Sequence, residues 1–302
     1  MAMTAPRQLL PGTTYLVTRR CLQRQFLLRP SKLTNKVFGF LLAVAARRFD
    51  VDLHACCVMS NHFHLVVTDR KAQLPAFHRY LDSLVARSMN ALLGRRDYFW
   101  ASSSYSAVAL QGPSDIVDKV AYVLANPVAA GLVRRGRKWP GLWLSPERIG
   151  QPDLEFERPT HFFRKTGATA LPDRACLGLV APPAFSSSEE FRRAVATALE
   201  SREALAELEL RGTGRSFLGA AAVLAQQPIA TPRGHEPLRG LNPRIACRDK
   251  WRRIQALANL VAFLSAYRSA FAQWRAGSLD VLFPAGTYLM RVLHGASCAA
   301  PG

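Results

Sequence analysis

The sequence predicts an α+β fold, in which a ferredoxin-like split βαβ sheet is followed by a mostly helical, basic segment. Three observations support this prediction. Up to about residue 110, the elements follow one another in the order β-α-β-β-α-β. A short connection, Ser60 and Asn61, joins two adjacent strands and favours their antiparallel pairing. Beyond residue 165, the apolar residues recur mainly at helical spacing.

The first half of the chain contains the predicted sheet. Residues 14–18 are β-branched and aromatic enough for a first strand, and an amphipathic helix follows over residues 30–48. Residues 51–59 and 62–68 are predicted to form two strands of a hairpin. This order places the first helix between the first and second strands.

The remaining elements of this unit are two helices and a fourth strand. Helical periodicity over residues 73–93 precedes a strand at residues 105–110, and the first two helices are expected on one face of the sheet. A third helix begins near Pro113. Because Pro127 disfavours helical geometry at the preceding residue, this helix should end or kink at Asn126.

A domain boundary is predicted near residue 165, which gives domains 1–165 and 166–302. Ser187 and Glu190 have the spacing of a capping box that opens a helix to about Leu210. A second long helix, rich in arginine, is predicted from about residue 248 to residue 275. We interpret residues 166–302 as a mostly helical accessory domain whose role in DNA binding is open.

The composition is strongly basic. The chain has 40 Lys and Arg against 21 Asp and Glu, for a formal net charge of +19. This net charge is typical of a nucleic-acid-binding protein, although a solubilising surface or a membrane-surface protein would also carry it. No block of basic residues is long enough to indicate a disordered tail.

The sequence shows no pattern for secretion or membrane insertion. Its first residues lack a charged stretch followed by an apolar core and a cleavage site, and no segment approaches about 18 uninterrupted apolar residues. The 6 cysteines show no C-x-x-C spacing. Buried free thiols explain them better than disulfides or a zinc cluster. We therefore expect a cytoplasmic protein that does not bind membranes.

Two histidines lie inside the apolar run of the third strand. Since successive side chains of a strand alternate between faces, His62 and His64 share one face while Phe63 and Leu65 point to the other. Such a pair can ligate a metal, but an isolated pair is more often packing. Its surroundings must therefore decide between the two interpretations.

Two further groups of residues could serve a site. On the third helix, Tyr122 precedes Asn126 by four residues, so both side chains lie on one face. Arg19, Arg20 and Arg24 follow the first strand, where cations could contact phosphate or simply line a solvated loop. Taken separately, each of these groups also has a purely structural interpretation.

Three segments together resemble the HUH single-tyrosine transposases, and most closely the REP-associated tyrosine transposases of bacteria, which are related to insertion-sequence-200 transposases. They are YLVTRRCLQR at residues 15–24, MSNHFHLVV at residues 59–67 and YVLANPVAAGLV at residues 122–133. The segments occur in the order and rough spacing of that family within about the first 150 residues. Ser60 stands where the family usually has Pro.

This resemblance implies a ferredoxin-like HUH endonuclease domain and a set of residue roles. His62, His64 and Asn126 would be ligands of Mg²⁺ or Mn²⁺, and Tyr122 would be the nucleophile. The implied activity is cleavage and rejoining of single-stranded or hairpin DNA through a 5′-phosphotyrosyl intermediate. At pH 7 only about one phenol in a thousand is ionised, so the reaction needs a phosphate that a divalent ion has already polarised.

Several alternatives stay open. The chain could be a domesticated regulator that binds hairpin DNA without cleaving it, or a zinc hydrolase that uses His54 with the histidine pair. The aromatic residues that could stack on bases, or else pack in the core, are Phe99, Trp100, Trp139 and Trp143. The sequence does not distinguish a monomer from a homodimer.

Overall fold

The strands confirm the predicted α+β fold. The computed structural model describes residues 6–102, 105–163, 166, 170–232, 234 and 243–301. Its strands are β1 (Thr13–Arg20), β2 (Val51–Val58), β3 (His62–Asp69), β4 (Ser106–Leu110), β5 (Leu154–Glu157), β6 (Arg174–Leu177) and β7 (Ile245–Ala246). The main sheet has the order β2-β3-β1-β4-β7, in which β1 to β4 pair antiparallel and β7 pairs parallel to β4. This is the ferredoxin-like order with one short strand added at an edge.

The helices cover both faces of this sheet. They are α1 (Lys32–Phe49), α2 (Leu74–Leu92), α3 (Pro113–Ala129), α4 (Ser188–Gly212), α5 (Ala220–Ala225), α6 (Lys250–Arg275) and α7 (Leu289–His294). On one face, the ring of Phe63 lies 5.1 Å from Phe38 of α1 and 6.4 Å from His78 of α2. On the other, His64 lies 5.5 Å from Tyr122 of α3. Alternation along β3 thus separates the core from the candidate site.

The prediction that the third helix ends or kinks at Asn126 is wrong about the end. Helix α3 continues through Pro127 to Ala129. Proline removes one intrahelical hydrogen-bond donor, but nearby the indole of Trp143 donates to the carbonyl of Leu124 at 3.0 Å. Val128, beyond the proline, is fully buried. Tertiary packing therefore outweighs the local preference of the proline.

The described part of residues 166–302, here called the C-terminal segment, packs on the same sheet. Strand β5 pairs with β6, helix α4 packs along α3, and Phe191 and Val195 of α4 are buried in the main hydrophobic core. The predicted boundary falls at residue 165, which lies outside the described residues, so it stays a prediction. Helices α6 and α7 form a smaller apolar cluster of their own, which includes Phe263 and Met290.

The four aromatic residues considered for base stacking belong to the protein interior. Phe99, Trp100 and Trp139 are buried, and Trp143 is half-buried. Each indole donates a hydrogen bond to a backbone carbonyl, from Trp100 to Asp82, from Trp139 to Val58 and from Trp143 to Leu124. These contacts favour the packing interpretation over stacking on nucleic-acid bases.

The cysteines are free thiols, as the sequence predicts, but the prediction that they are buried holds for only four of the six. Cys21, Cys56, Cys57 and Cys247 are buried, whereas Cys176 is exposed. Burial raises the pKa of the Cys56 thiol well above its ordinary value. Within the described ranges, no helix combines the length and apolar character needed to cross a membrane.

His54 of β2 takes part in a buried series of hydrogen bonds. Its Nδ1 lies 2.7 Å from the carbonyl of Val180 and its Nε2 lies 2.7 Å from Thr68, which in turn lies 2.7 Å from Thr14. Because the carbonyl can only accept, Nδ1 carries the proton and Nε2 accepts from Thr68. Burial outweighs the hydrogen bond to Val180 and lowers the pKa of His54 from 6.5 to about 4.

This depressed pKa predicts a loss of stability in acid. As pH falls from 6.5 towards 4, the unfolded chain binds a proton at His54 that the folded chain excludes, so His54 should lower the free energy of unfolding by about 2 kcal/mol between pH 7 and pH 5. The variant His54→Gln, whose amide can still donate and accept, should lack this component. Urea unfolding of both proteins at the two pH values measures it, and equal pH slopes would contradict the prediction.

Candidate active site on strand β3

The two predicted histidines lie side by side at the start of β3. The rings of His62 and His64 are 4.7 Å apart between centroids and nearly perpendicular. His64 is buried, whereas His62 is partly exposed. The pair therefore spans the border between the protein interior and the surface, which lets it face a substrate without being surrounded by water.

Asn61 accepts a hydrogen bond from Nδ1 of His62. The amide nitrogen of Asn61 donates to the carbonyl of Arg24 at 3.2 Å, which leaves its Oδ1 to face Nδ1 of His62 at 2.7 Å. Since Oδ1 can only accept, Nδ1 of His62 is the donor. In the neutral form of His62, Nε2 then keeps its lone pair, as a metal ligand must.

Thr18 and Asn126 contact the two nitrogens of His64. Oγ1 of Thr18 lies 2.7 Å from Nδ1, and the amide nitrogen of Asn126 lies 3.3 Å from Nε2. An amide donor at Nε2 requires a lone pair there, so Nδ1 donates to Thr18. Burial, followed by the charges of His62 and Arg20, lowers the pKa of His64 well below its ordinary value and favours this neutral ring.

Tyr122 reaches the same place from α3. Its ring packs edge-on against His64, with 5.5 Å between the centroids, and it is 37% exposed. Asn126 lies one helical turn further along the same face. A regular helix thus brings a phenol and an amide to the histidine pair, and both lie on one face of α3, as the four-residue spacing predicts.

Cations surround the tyrosine. Nζ of Lys119 lies 6.0 Å and Cζ of Arg202 lies 5.9 Å from the centroid of the Tyr122 ring. Both cations contact the carboxylate of Asp118, at 3.1 Å from Lys119 and 2.6 Å from Arg202. Desolvation would raise the pKa of Asp118, but these hydrogen bonds outweigh it and hold that pKa below its ordinary value.

The three predicted DNA-contacting arginines occupy different environments. Arg19 is mostly buried, with its Nε 3.4 Å from Asp82 and its guanidinium 5.7 Å from the Trp100 ring. Arg20 is exposed and pairs in register with His62, beside the site. Arg24 donates to the carbonyl of Gly234 at 2.8 Å. Of the three, Arg20 is best placed for a ligand at the histidines, and all three DNA contacts stay predictions.

The imidazoles of His62 and His64 suit a borderline ion and the amide oxygen of Asn126 suits a hard one, so the donor set by itself does not select one divalent ion. Among the described residues, no three His, Cys, Asp or Glu side chains cluster as a metal site would require. The roles of His62, His64 and Asn126 as ligands stay predictions; one imidazole nitrogen from each histidine and one amide would leave positions for phosphate oxygens. His54 has both ring nitrogens hydrogen-bonded elsewhere, which disfavours the zinc hydrolase.

The sequence analysis missed four residues of this site. Thr18 and Asn61 lie within the quoted motifs, but their contacts depend on strand register and on the turn. Lys119 precedes Tyr122 by three residues, and its position beside the ring could have been inferred from helical geometry. Arg202 lies far along the chain, and no local pattern connects it with Tyr122.

Comparison with known proteins gives matches only among solved structures. No family model and no curated protein matches the chain. A REP-associated tyrosine transposase bound to a REP hairpin is 19% identical, over 47% of this chain and 81% of that chain, with a TM-score of 0.39. A crystal structure from Deinococcus radiodurans R1, provisionally described as a transposase, is 19% identical, over 35% of this chain and 85% of that chain, with a TM-score of 0.28. Both are described as transposases, the class of protein that the three motifs resemble.

Proposed function

We propose that this chain is a metal-dependent transposase that cleaves and rejoins single-stranded, hairpin-associated DNA through a covalent tyrosine intermediate. The observation that carries the proposal is the contact of Tyr122 with His64, 5.5 Å apart between ring centroids. This contact joins a nucleophile to a pair of potential imidazole ligands, His62 and His64, whose rings lie 4.7 Å apart. Regulators that only bind DNA have no need of this arrangement.

His62, His64 and Asn126 would hold Mg²⁺ or Mn²⁺. When bound, the ion would polarise the phosphate and align it for attack. Thr18 and Asn61 orient the imidazoles by accepting their Nδ1 protons. Such hydrogen bonds on the far side of a ligand fix the ring and raise its basicity. The protein therefore prepares the site before any ion or DNA arrives.

Tyr122 supplies the attacking oxygen. Its Oη forms a bond to the phosphorus while the bond from phosphorus to the 3′ oxygen of the preceding nucleotide breaks. The phenol loses its proton, and the departing 3′ oxygen gains one from solvent. The products are a 5′-phosphotyrosyl bond and a 3′-hydroxyl. Attack by a 3′-hydroxyl on that bond reverses the step and rejoins DNA without ATP or water.

The location of Tyr122 favours a flexible DNA strand. The tyrosine is partly exposed but lies against a buried histidine, so the reacting phosphate must approach the protein closely. A single strand or the flank of a hairpin can do so more easily than a continuous duplex. Arg20, exposed beside His62, and the formal net charge of +19 favour an anionic partner. The preference for hairpins rests on the resemblance of the motifs.

Replacing Tyr122 with Phe should abolish the covalent product. The phenylalanine keeps the ring but removes the attacking oxygen, so no adduct can form. Labelled single-stranded hairpin DNA from the flanks of the gene, incubated with Mn²⁺ or Mg²⁺, should give a metal-dependent adduct on a denaturing gel with the parent protein only. Hairpin binding without any adduct from the parent would support the regulator instead.

Replacing Thr18 with Val should weaken metal binding by about 10-fold to 100-fold, because His64 loses the acceptor that orients its ring. Binding of Mn²⁺ without DNA, followed by electron paramagnetic resonance, measures this directly. Thr14→Val is the matched control, since Thr14 lies on the same strand and bonds to Thr68 away from the site. Equal Mn²⁺ affinities of the two variants would contradict the role of Thr18.

A further inference from the structure

The site receives one cation from the C-terminal segment. Arg202 lies on α4, which packs along the tyrosine-bearing α3. Nη2 of Arg202 donates to Oδ1 of Asp118 at 2.6 Å, and its Cζ lies 5.9 Å from the Tyr122 ring. Asp118 precedes Tyr122 by one helical turn, so the ion pair holds the guanidinium beside the nucleophile.

The carboxylate does not neutralise this cluster. Asp118 faces Arg202 at 2.6 Å, Lys119 at 3.1 Å and Nη1 of Arg248 at 3.6 Å, so one negative charge is shared among three positive charges. The Arg202 side chain is 35% exposed. A guanidinium has five N–H donors arranged as a fork, and one carboxylate leaves several of them for another anion.

We propose that Arg202, together with Lys119, binds the phosphate that reacts at Tyr122. This inference deepens the proposed function and rests on it. During phosphoryl transfer the phosphate oxygens carry the negative charge, and fixed donors next to them lower the barrier. The C-terminal segment would then complete the active site, and Asp118 would be the residue that positions Arg202.

A structural role predicts different behaviour. If Arg202 only tethers α4 to α3, its loss would lower thermal stability. It would then weaken the binding of DNA to the same extent whether the scissile phosphate is charged or neutral. If Arg202 binds the reacting phosphate, its loss should matter only when that phosphate is charged. A DNA carrying a neutral methylphosphonate at the scissile position separates these two cases.

The test compares Arg202→Gln and Arg202→Ala with Arg193→Ala. Gln removes the charge but can still donate a hydrogen bond to Asp118, so a contact between α4 and α3 is kept. Arg193 is the matched control because it lies on the same helix, with a side chain that is 77% exposed and paired to Glu189 at 3.0 Å. Melting curves of all variants report whether the packing of α4 is retained.

We expect Arg202→Gln to slow adduct formation by about 100-fold or more, and Arg193→Ala to leave it unchanged. In a Tyr122→Phe background, which blocks the reaction, methylphosphonate should weaken DNA binding clearly more when Arg202 is present than with Arg202→Gln, which leaves only Lys119 of the two cations to contact the charged phosphate. The dependence of log affinity on log salt should also become shallower by about one with the Arg202 variant, as for one lost phosphate contact.

Two results would overturn the role of Arg202. One is that Arg202→Gln weakens binding equally to DNA with a charged scissile phosphate and to DNA with a methylphosphonate there. The other is an unchanged rate of adduct formation in folded Arg202→Gln. Failure of the parent protein to form any adduct would instead overturn the proposed function. The two failures are therefore distinguishable, because the binding measurements need no covalent step.

Discussion

The pairing of β1 with β3 is the constraint on which the site depends. Its register sets Thr18 opposite His64 and Arg20 opposite His62. A slip of one residue would turn every side chain of β3 to the other face and would exchange His64 with Phe63. The burial of Phe63 against α1 and α2 opposes that slip, because the ring would have to leave its apolar contacts. The hydrophobic core on one face thus holds the histidines on the other.

The electrostatics of the site follow from what is buried and what is not. His64 is neutral because burial disfavours its charged form, and the hydrogen bonds of Thr18 and Asn126 suit a neutral ring. The charges lie further out, on Arg20, Lys119 and Arg202. Under the proposed function, a divalent ion at His62 and His64 would arrive with a phosphate, which would supply the negative charge that imidazoles lack.

The second half of the chain is tied to the first at several points. Strand β7 extends the sheet, α4 covers α3, and Glu203 of α4 accepts a hydrogen bond from the backbone of Gly136 at 2.6 Å. The neighbouring Arg202 is held beside Tyr122 by Asp118. Residues 166–302, which contain none of the three motifs, therefore contribute to the arrangement of the residues within those motifs.

Local patterns in the sequence were sufficient for the first four strands and three helices, the face shared by His62 and His64, and the helix face shared by Tyr122 and Asn126, because each depends on a period of two or of 3.6 residues. The approach of Tyr122 and Asn126 to the histidines was implied only by the resemblance of the motifs. Contacts between segments that are distant in the chain could not be predicted from such local patterns. The irregular pairing between Leu53 and Ala55 sets the direction of His54, core packing carries α3 past Pro127, and the ion pair with Asp118 brings Arg202 to the site. Only the tertiary structure decides these features, because each depends on a partner that is remote in the chain.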